Sequence, residues 1–344
     1  MSTKGETPHS NLRMHVEAEA RDLSGENFTR FMNELYNRIF SMVNSSNPDE
    51  KLGGIYAIDE LIDVQLGENA TKISRFANYL RDIFQPNIDT ATMIAAAQAL
   101  GHLVRAGGAL TADVVEFEVK RGLEWLEAER LEARRFAAVL ILHQLAENAP
   151  TVFNVHVPSF ITAIWPALRD PKIAIRERAC DALRSCLCVV EKRETRYRVQ
   201  WYYKLFEETQ RGLGKGGSVE RIHGSLLAIG ELLRHTGEFM LARYKEVAET
   251  VLRFRDHRER LIRRSVTSIL PRIAAFAPER FALSYLQICM QHLLGVLKSS
   301  SERGGGFMAL GELAGCVGHG TGVSGITPHL PVSPRAPFAP CTSQ

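Results

Sequence analysis

The chain has 344 residues, 45% of them hydrophobic and 24% charged, with 42 Lys and Arg against 39 Asp and Glu. Those proportions describe a folded protein and exclude global disorder, and a net charge of +3 is too small to make nucleic acid the default partner. The longest unbroken apolar run, Phe136 to Leu142, falls far short of the ~20 residues that span a bilayer, which argues against integral membrane contact.

Residues 1–22 read as a flexible segment. The first ten contain no apolar h-region, and position 2 is Ser2, so neither a secretory signal nor a myristoylation site is expected. The six cysteines, Cys180, Cys186, Cys188, Cys289, Cys316 and Cys341, are sparse, and most fall inside helical patterns. Reduced thiols in the cytoplasm are the expectation, and the sequons at Asn27, Asn44 and Asn69 then carry no glycan.

From Phe28 to Leu313 apolar residues recur at helical spacing and strand signals are nearly absent. The spacing predicts a helix over 27–44 and a second over 49–65, the latter opened by Asn47 as cap and Pro48 at the first turn. Helices over 71–84 and 90–105 follow, and Gly107-Gly108 marks a turn. Thr111 then caps a helix over 111–127, paired with one over 132–147. The next pair covers 157–169 and 172–190, with Asp170-Pro171 as its internal start signal. Three more pairs cover 199–212 with 219–235, 239–255 with 259–275, and 279–298 with 302–315. Pro271 falls inside a helix and predicts a kink there. From Gly315 onward come five glycines and five prolines, so 318–344 reads as a disordered tail.

The second helix of each pair carries the same word, an apolar residue, two others, then another apolar residue. It appears at Ile58/Leu61, Leu100/Leu103, Leu142/Leu145, Leu183/Cys186, Ile229/Leu232, Leu270/Ile273 and Leu310/Leu313. Successive first members lie 42, 42, 41, 46, 41 and 40 residues apart, the long interval pointing to an insertion near Gly214–Gly217. A small residue precedes several of them: Gly54, Ala96, Ala138, Ala179, Ser225 and Gly306. A two-helix unit cannot bury its own apolar faces, so it stacks on its neighbours, and small residues let the inner helices approach. The period predicts an all-α fold, a right-handed, armadillo-like α-solenoid of about seven HEAT-type helix pairs over 23–317. An ordinary helical bundle has no reason to keep that period.

Tests for chemistry find little. Gly320, Gly322 and Gly325 match the dinucleotide-binding spacing, but a helix precedes them and Pro328 follows, where a βαβ unit is required. Gly304–Gly306 reads as a turn or a close packing point. There is no phosphate-binding loop, no His-Arg-Asp and no Asp-Phe-Gly triplet. Cys186 and Cys188 project to opposite sides of a helix, so core cysteines are expected and not a metal site. His102 and His143 sit beside the repeat leucines and could face each other, without a third ligand. No cofactor is expected. Two basic stretches stand out. Residues 191–204 have five basic and two acidic residues with Tyr197, Trp201, Tyr202 and Tyr203, and 253–264 have six basic and two acidic residues. Such surfaces are solvated helix corners or protein interfaces, and less often nucleic-acid sites.

Longer stretches carry a resemblance. They include Arg21–Glu26, Gly67–Ala77, Arg134–Leu142, Phe153–Pro158, Glu191–Arg196, Val199–Tyr203, Ile222–Leu227, Arg243–Glu249 and Leu270–Ala274. Between about Val16 and Ala314 the chain resembles the N-terminal HEAT region of the target-of-rapamycin (TOR) kinases in their land-plant form. Members of that family are several times longer, with rapamycin-binding and kinase domains far toward the C-terminus. The likeness stops near Gly315 in mid-repeat, so the ending reads as that of a truncated gene or a fragment. The resemblance implies a non-catalytic scaffold in nutrient and growth signalling. It implies binding to a Raptor-type subunit of the TOR complex and to a second TOR chain, in the cytoplasm, with endomembranes and nucleus as further sites of the family. The anchors expected on the exposed surface are Arg193, Arg196, Arg198, Trp201 and Tyr202. A generic HEAT adaptor unrelated to TOR is the alternative.

Overall fold

The computed structural model describes residues 10–64, 69–128, 130–193 and 196–318, and the described residues contain helices and no strand. The expected tail over 318–344 therefore lies outside them, apart from Gly318 at the end of the last helix. A first helix, α1 (Ser10–Asp22), lies where the sequence suggests flexibility; it buries Val16 and packs on the third helix. Four helix pairs follow: α2 (Gly25–Val43) with α3 (Pro48–Ile62), α4 (Asn69–Ile83) with α5 (Thr90–Gly107), α6 (Ala112–Ala128) with α7 (Glu132–Asn148), and the short α8 (Pro150–Phe153) and α9 (Val157–Leu168) with α10 (Ile173–Glu191). Three more are α11 (Arg198–Gly212) with α12 (Val219–His235), α13 (Glu238–Leu241) and α14 (Tyr244–Leu252) with α15 (Arg260–Phe276), and α16 (Pro278–Ser284) and α17 (Leu286–Leu297) with α18 (Arg303–Gly318).

The chain divides within α10 into two compact units, Met1–Val189 and Val190–Gln344. In the first unit α3, α5 and α7 pack side by side in sequence order, each covered by its own partner α2, α4 or α6. In the second, α12, α15 and α18 form the same file, with α11, α14 and α17 beside them. Each unit is thus a stack of α-helix pairs whose apolar stripe is buried between neighbours. The repeat words hold the stack. Ile58, Leu100, Leu142, Leu183, Ile229 and Leu270 are all at most 1% exposed, and Gly54, Ala96, Ala138, Ala179, Ser225 and Gly306 are buried beside them.

The local signals explain most boundaries. Asn47 Oδ1 accepts the Asp49 backbone N–H at 2.9 Å, and Pro48 opens α3. Asp89 caps α5 by accepting the Thr92 N–H at 2.9 Å, and Ser218 caps α12. Gly108 ends α5 at φ 51°, a conformation that favours glycine. Thr111 does not cap α6. It closes a 3-10 turn, and its hydroxyl donates to the Gly108 and Val104 carbonyls at 2.7 and 3.1 Å. Pro271 sits inside α15, which continues to Phe276.

Two outer helices differ from the continuous ones that periodicity suggests. The stretch 239–255 is broken at Ala242 and Arg243, and 279–298 at Tyr285. At the second break the Tyr285 ring lies edge-on to Tyr244, 6.1 Å between centroids. A periodic stretch also escaped the count of unbroken apolar runs: Pro150–Leu168 is long and apolar enough to cross a membrane. It is split into α8, a 3-10 turn and α9, and Phe153, Val157, Phe160, Ile161 and Ile164 are buried in the first unit.

Candidate functional site

The stretch 191–204 runs over the end of α10 and the first turns of α11. Glu191 anchors its start: the His235 Nδ1 lies 2.9 Å from the Glu191 carboxylate, which can only accept, so Nδ1 carries the proton. Tyr197 opens α11, and its carbonyl accepts the Trp201 N–H. Tyr202, Leu205, Phe206 and Thr209 follow at i, i+3, i+4 and i+7 and are all buried. Tyr202 is therefore not an exposed anchor. It is 4% exposed, its hydroxyl donates to the His235 carbonyl at 3.3 Å, and its ring leans on Phe239. That four-residue spacing was readable in the sequence and outweighs the row of aromatics in which Tyr202 stands.

The other anchors differ in exposure. Arg193 and Arg196 are exposed, and Arg198 and Trp201 are half-buried. The Arg196 guanidinium lies 4.9 Å from the Tyr197 ring centroid, and its Nη2 donates to the Tyr197 hydroxyl at 2.8 Å. The Tyr197 ring stacks in turn on Trp201, with 6.4 Å between centroids and 26° between planes. The result is a guanidinium, a phenol and an indole in a row, flanked by further cations. It offers positive charge and aromatic faces to a bound molecule.

Sequence reasoning passed over Arg243. Its guanidinium covers Phe239, Tyr203 and Phe206 at 4.0, 5.2 and 5.6 Å, and its Nη1 donates to the Phe239 carbonyl. Beside it lies an open groove of about 630 Å³ lined by Tyr203, Phe206, Glu207, Gln210, Arg211 and Glu246 among others. The only signal was that Arg243 follows Tyr203 by one repeat length.

Four of the six arginines of the second basic stretch are spent on the fold. Arg253 donates to Thr250 Oγ1, Arg255 to the Leu252 carbonyl, Arg260 to the Ser301 carbonyl, and Arg263 to the His257 and Arg258 carbonyls and to Glu302. His102 and His143 do not face one another. His102 lies between Asp59 and Asp63 at 2.9 and 3.2 Å, and His143 is 3.4 Å from Glu147. Cys180, Cys186 and Cys289 are buried thiols outside any disulfide, and burial pushes the Cys289 thiol up to about 12. Among the described residues no group of three or more His, Cys, Asp or Glu is placed to hold a metal. Gly306 packs against Val296 and Leu297 at the start of α18, and Gly320–Gly325 lies outside the described residues.

No protein-family model matches the chain. Among solved structures, the karyopherin Kap121p bound to Nup53p superposes with a TM-score of 0.56 at 13% identity, over 90% of this chain and 32% of that one. Kap121p bound to Pho4p gives the same score over 89% of this chain. At that identity the likeness shows the fold alone, an all-α solenoid. Curated relatives are nearer. The serine/threonine-protein kinase TOR of Arabidopsis thaliana is 59% identical over 306 residues, and that of Oryza sativa subsp. japonica 58% over 321. The kinase tor1 of Schizosaccharomyces pombe is 40% identical over 303 residues. These matches cover 88 to 93% of this chain but only 12 to 13% of the relatives' own length. Over the matched segment the chain is a homologue of the N-terminal region of the TOR serine/threonine kinases.

Proposed function

We propose that this chain is a non-catalytic scaffold belonging to a TOR-type kinase, holding protein partners while phosphoryl transfer to Ser and Thr takes place elsewhere. The observation that carries this reading is the 59% identity to a TOR kinase over a segment that is 12% of it, folded as stacked helix pairs. A stacked-repeat surface binds through a few anchors on a long face, and the Arg196–Tyr197–Trp201 row is the best candidate for such an anchor in this chain. The partners proposed are a Raptor-type subunit of the TOR complex and a second TOR chain, and the setting proposed is the cytoplasm, which the reduced thiols suit. A generic helical-repeat adaptor fits the fold but leaves that identity unexplained.

The test uses the purified, folded chain. Incubated with labelled ATP and a TOR substrate it transfers no phosphate, and as bait it retains a Raptor-type subunit from cells of its source. Phosphate transfer would overturn the non-catalytic half of the proposal. A folded bait that retains no TOR-complex component would overturn the scaffold half.

A further inference from the structure

We infer that the groove between α11 and the start of α14 binds a short, basic, extended segment of a partner protein, with an arginine or lysine side chain lying over Phe206 and its charge between Glu207 and Glu246. The inference rests on the scaffold reading and names the chemistry of one partner contact.

The first argument is charge. Elsewhere in each stack, acids that border a neighbouring helix are matched by a cation: Glu118 by Arg81 and Asp170 by Arg135 at 2.7 Å, and Glu231 by Arg272 at 3.2 Å. Glu207 on α11 and Glu246 on α14 line one groove from opposite walls, and neither carboxylate has an ion pair or a hydrogen bond among the described residues. The cations around them are engaged. Arg211 is ion-paired with Glu208, Lys245 lies 3.9 Å from Glu249, and Lys204 has a partner of its own. The Arg243 guanidinium is laid on the Phe239 ring and bonded to the Phe239 carbonyl. Even with Arg243 counted in full, one cation stands against two acids, so the groove keeps a surplus of negative charge. Facing like charges repel, and a cation placed between them relieves that cost. The same surplus argues against nucleic acid, whose phosphates would meet two carboxylates.

The second argument is shape. The groove lies where the outer helix is broken at Ala242 and Arg243, both of which line it. Its volume, about 630 Å³, is in the range that takes a small molecule or a few residues of a peptide. Phe206 and Ala242 give it apolar surface, and Tyr203, 48% exposed, carries that surface outward. The methylenes of a long basic side chain can lie there while its charge stays at the wet rim. Gln210 lines the same groove and keeps a buried amide nitrogen without an acceptor. A turn of that side chain would bring the donor to a carbonyl of a bound backbone. An extended backbone has free carbonyls to offer, whereas those of a helix are already bonded within it, so the segment is extended.

The test measures fluorescence anisotropy of the full chain with a short labelled peptide of alternating arginine and leucine, and with matched peptides carrying glutamine or glutamate in place of arginine. The arginine peptide is expected to bind and the other two at least about tenfold more weakly, with affinity falling as salt rises. Glu207→Gln with Glu246→Gln, both at exposed positions that leave the core untouched, is expected to weaken binding at least about tenfold. Ala242→Trp, which fills the groove from an exposed position without changing charge, should do the same. Glu124→Gln with Glu127→Gln, exposed on α6 in the other unit, removes the same charge and should leave binding unchanged. All variants are compared at unchanged helical circular dichroism. Absence of arginine-peptide binding, indifference to the groove variants, equal loss with both glutamate pairs, or tighter binding of the glutamate peptide would overturn the inference. Undiminished retention of TOR-complex subunits by the chain carrying Glu207→Gln and Glu246→Gln would also overturn it while leaving the scaffold standing. Failure of the unsubstituted chain to retain them would remove the scaffold, while the peptide measurement still decides the chemistry of the groove.

Discussion

At the scale of single residues, the ties between neighbouring repeats are polar as well as apolar. Arg81 to Glu118, Arg135 to Asp170, Arg263 to Glu302, Arg272 to Glu231 and His102 to Asp59 join residues 35 to 43 positions apart, one repeat length. Glu231 is the most enclosed of these acids. It is fully buried in α12 and accepts from Arg272 at 3.2 Å and Arg234 at 3.3 Å. Removing Glu231 takes both hydrogen bonds from Arg234 and Arg272, which are partly open to water, and leaves a gap in the core, so Glu231→Ala is expected to cost about 1–3 kcal/mol, read as a shift in the urea midpoint. Acid acts on other residues. Burial lowers the affinity of His143 and His292 for a proton, against the pull of Glu147 on the first and of Asp256 on the second. The unfolded chain takes up those protons from about pH 6.5 downward while the folded chain resists, so stability falls as pH drops below about 6.5. Thermal melting between pH 7.5 and 5 should show that decline, and His143→Gln with His292→Gln should flatten it. Below about pH 4 a second loss is expected from Asp89, whose bonds from the Thr92 hydroxyl and backbone N–H favour its ionised form.

At the scale of elements, two glycines in inner helices separate packing from propensity. A Cβ on Gly54 in α3 would lie 2.9 Å from Val43 Cγ2 and 3.0 Å from the Val43 backbone nitrogen in α2. Backbone cannot step aside, so Gly54→Ala is expected to cost about 1–3 kcal/mol. A Cβ on Gly101 in α5 would meet only the ends of the Gln144 and Asn148 side chains. Those side chains can swing, and alanine gains helix propensity, so Gly101→Ala is expected to lie within about 1 kcal/mol of the parent, on either side. Urea unfolding of the two variants in parallel checks the contrast. In the amino-acid sequence both positions read alike, as small residues in a helix; what distinguishes them is whether a backbone or a flexible side chain stands opposite.

At the scale of the whole molecule, each repeat depends on its neighbours alone. The stripe three residues before each repeat word is readable by alignment: Ile55, Ala97, Val139, Leu226 and Thr267 are buried within their units, and its last member, Phe307, is 58% exposed. Met308 beside it is 67% exposed, while Ala309 and Leu313 on the other side of α18 are buried. Hydrogen exchange should therefore be faster in α18 than in α15, and equal protection of the two would contradict this picture. The sequence by itself determined most of the helices and their pairing, because the 3.6-residue and roughly 41-residue periods are properties of the chain read in one dimension. It also carried the kinship with TOR kinases, in words too long to recur by accident. Only the tertiary structure decided that Tyr202 points inward while Tyr197 and Trp201 stack outside, and that Arg253, Arg255, Arg260 and Arg263 are held by hydrogen bonds within the fold. Those outcomes depend on what another repeat places opposite a side chain, some forty residues away, and local periodicity holds no record of that.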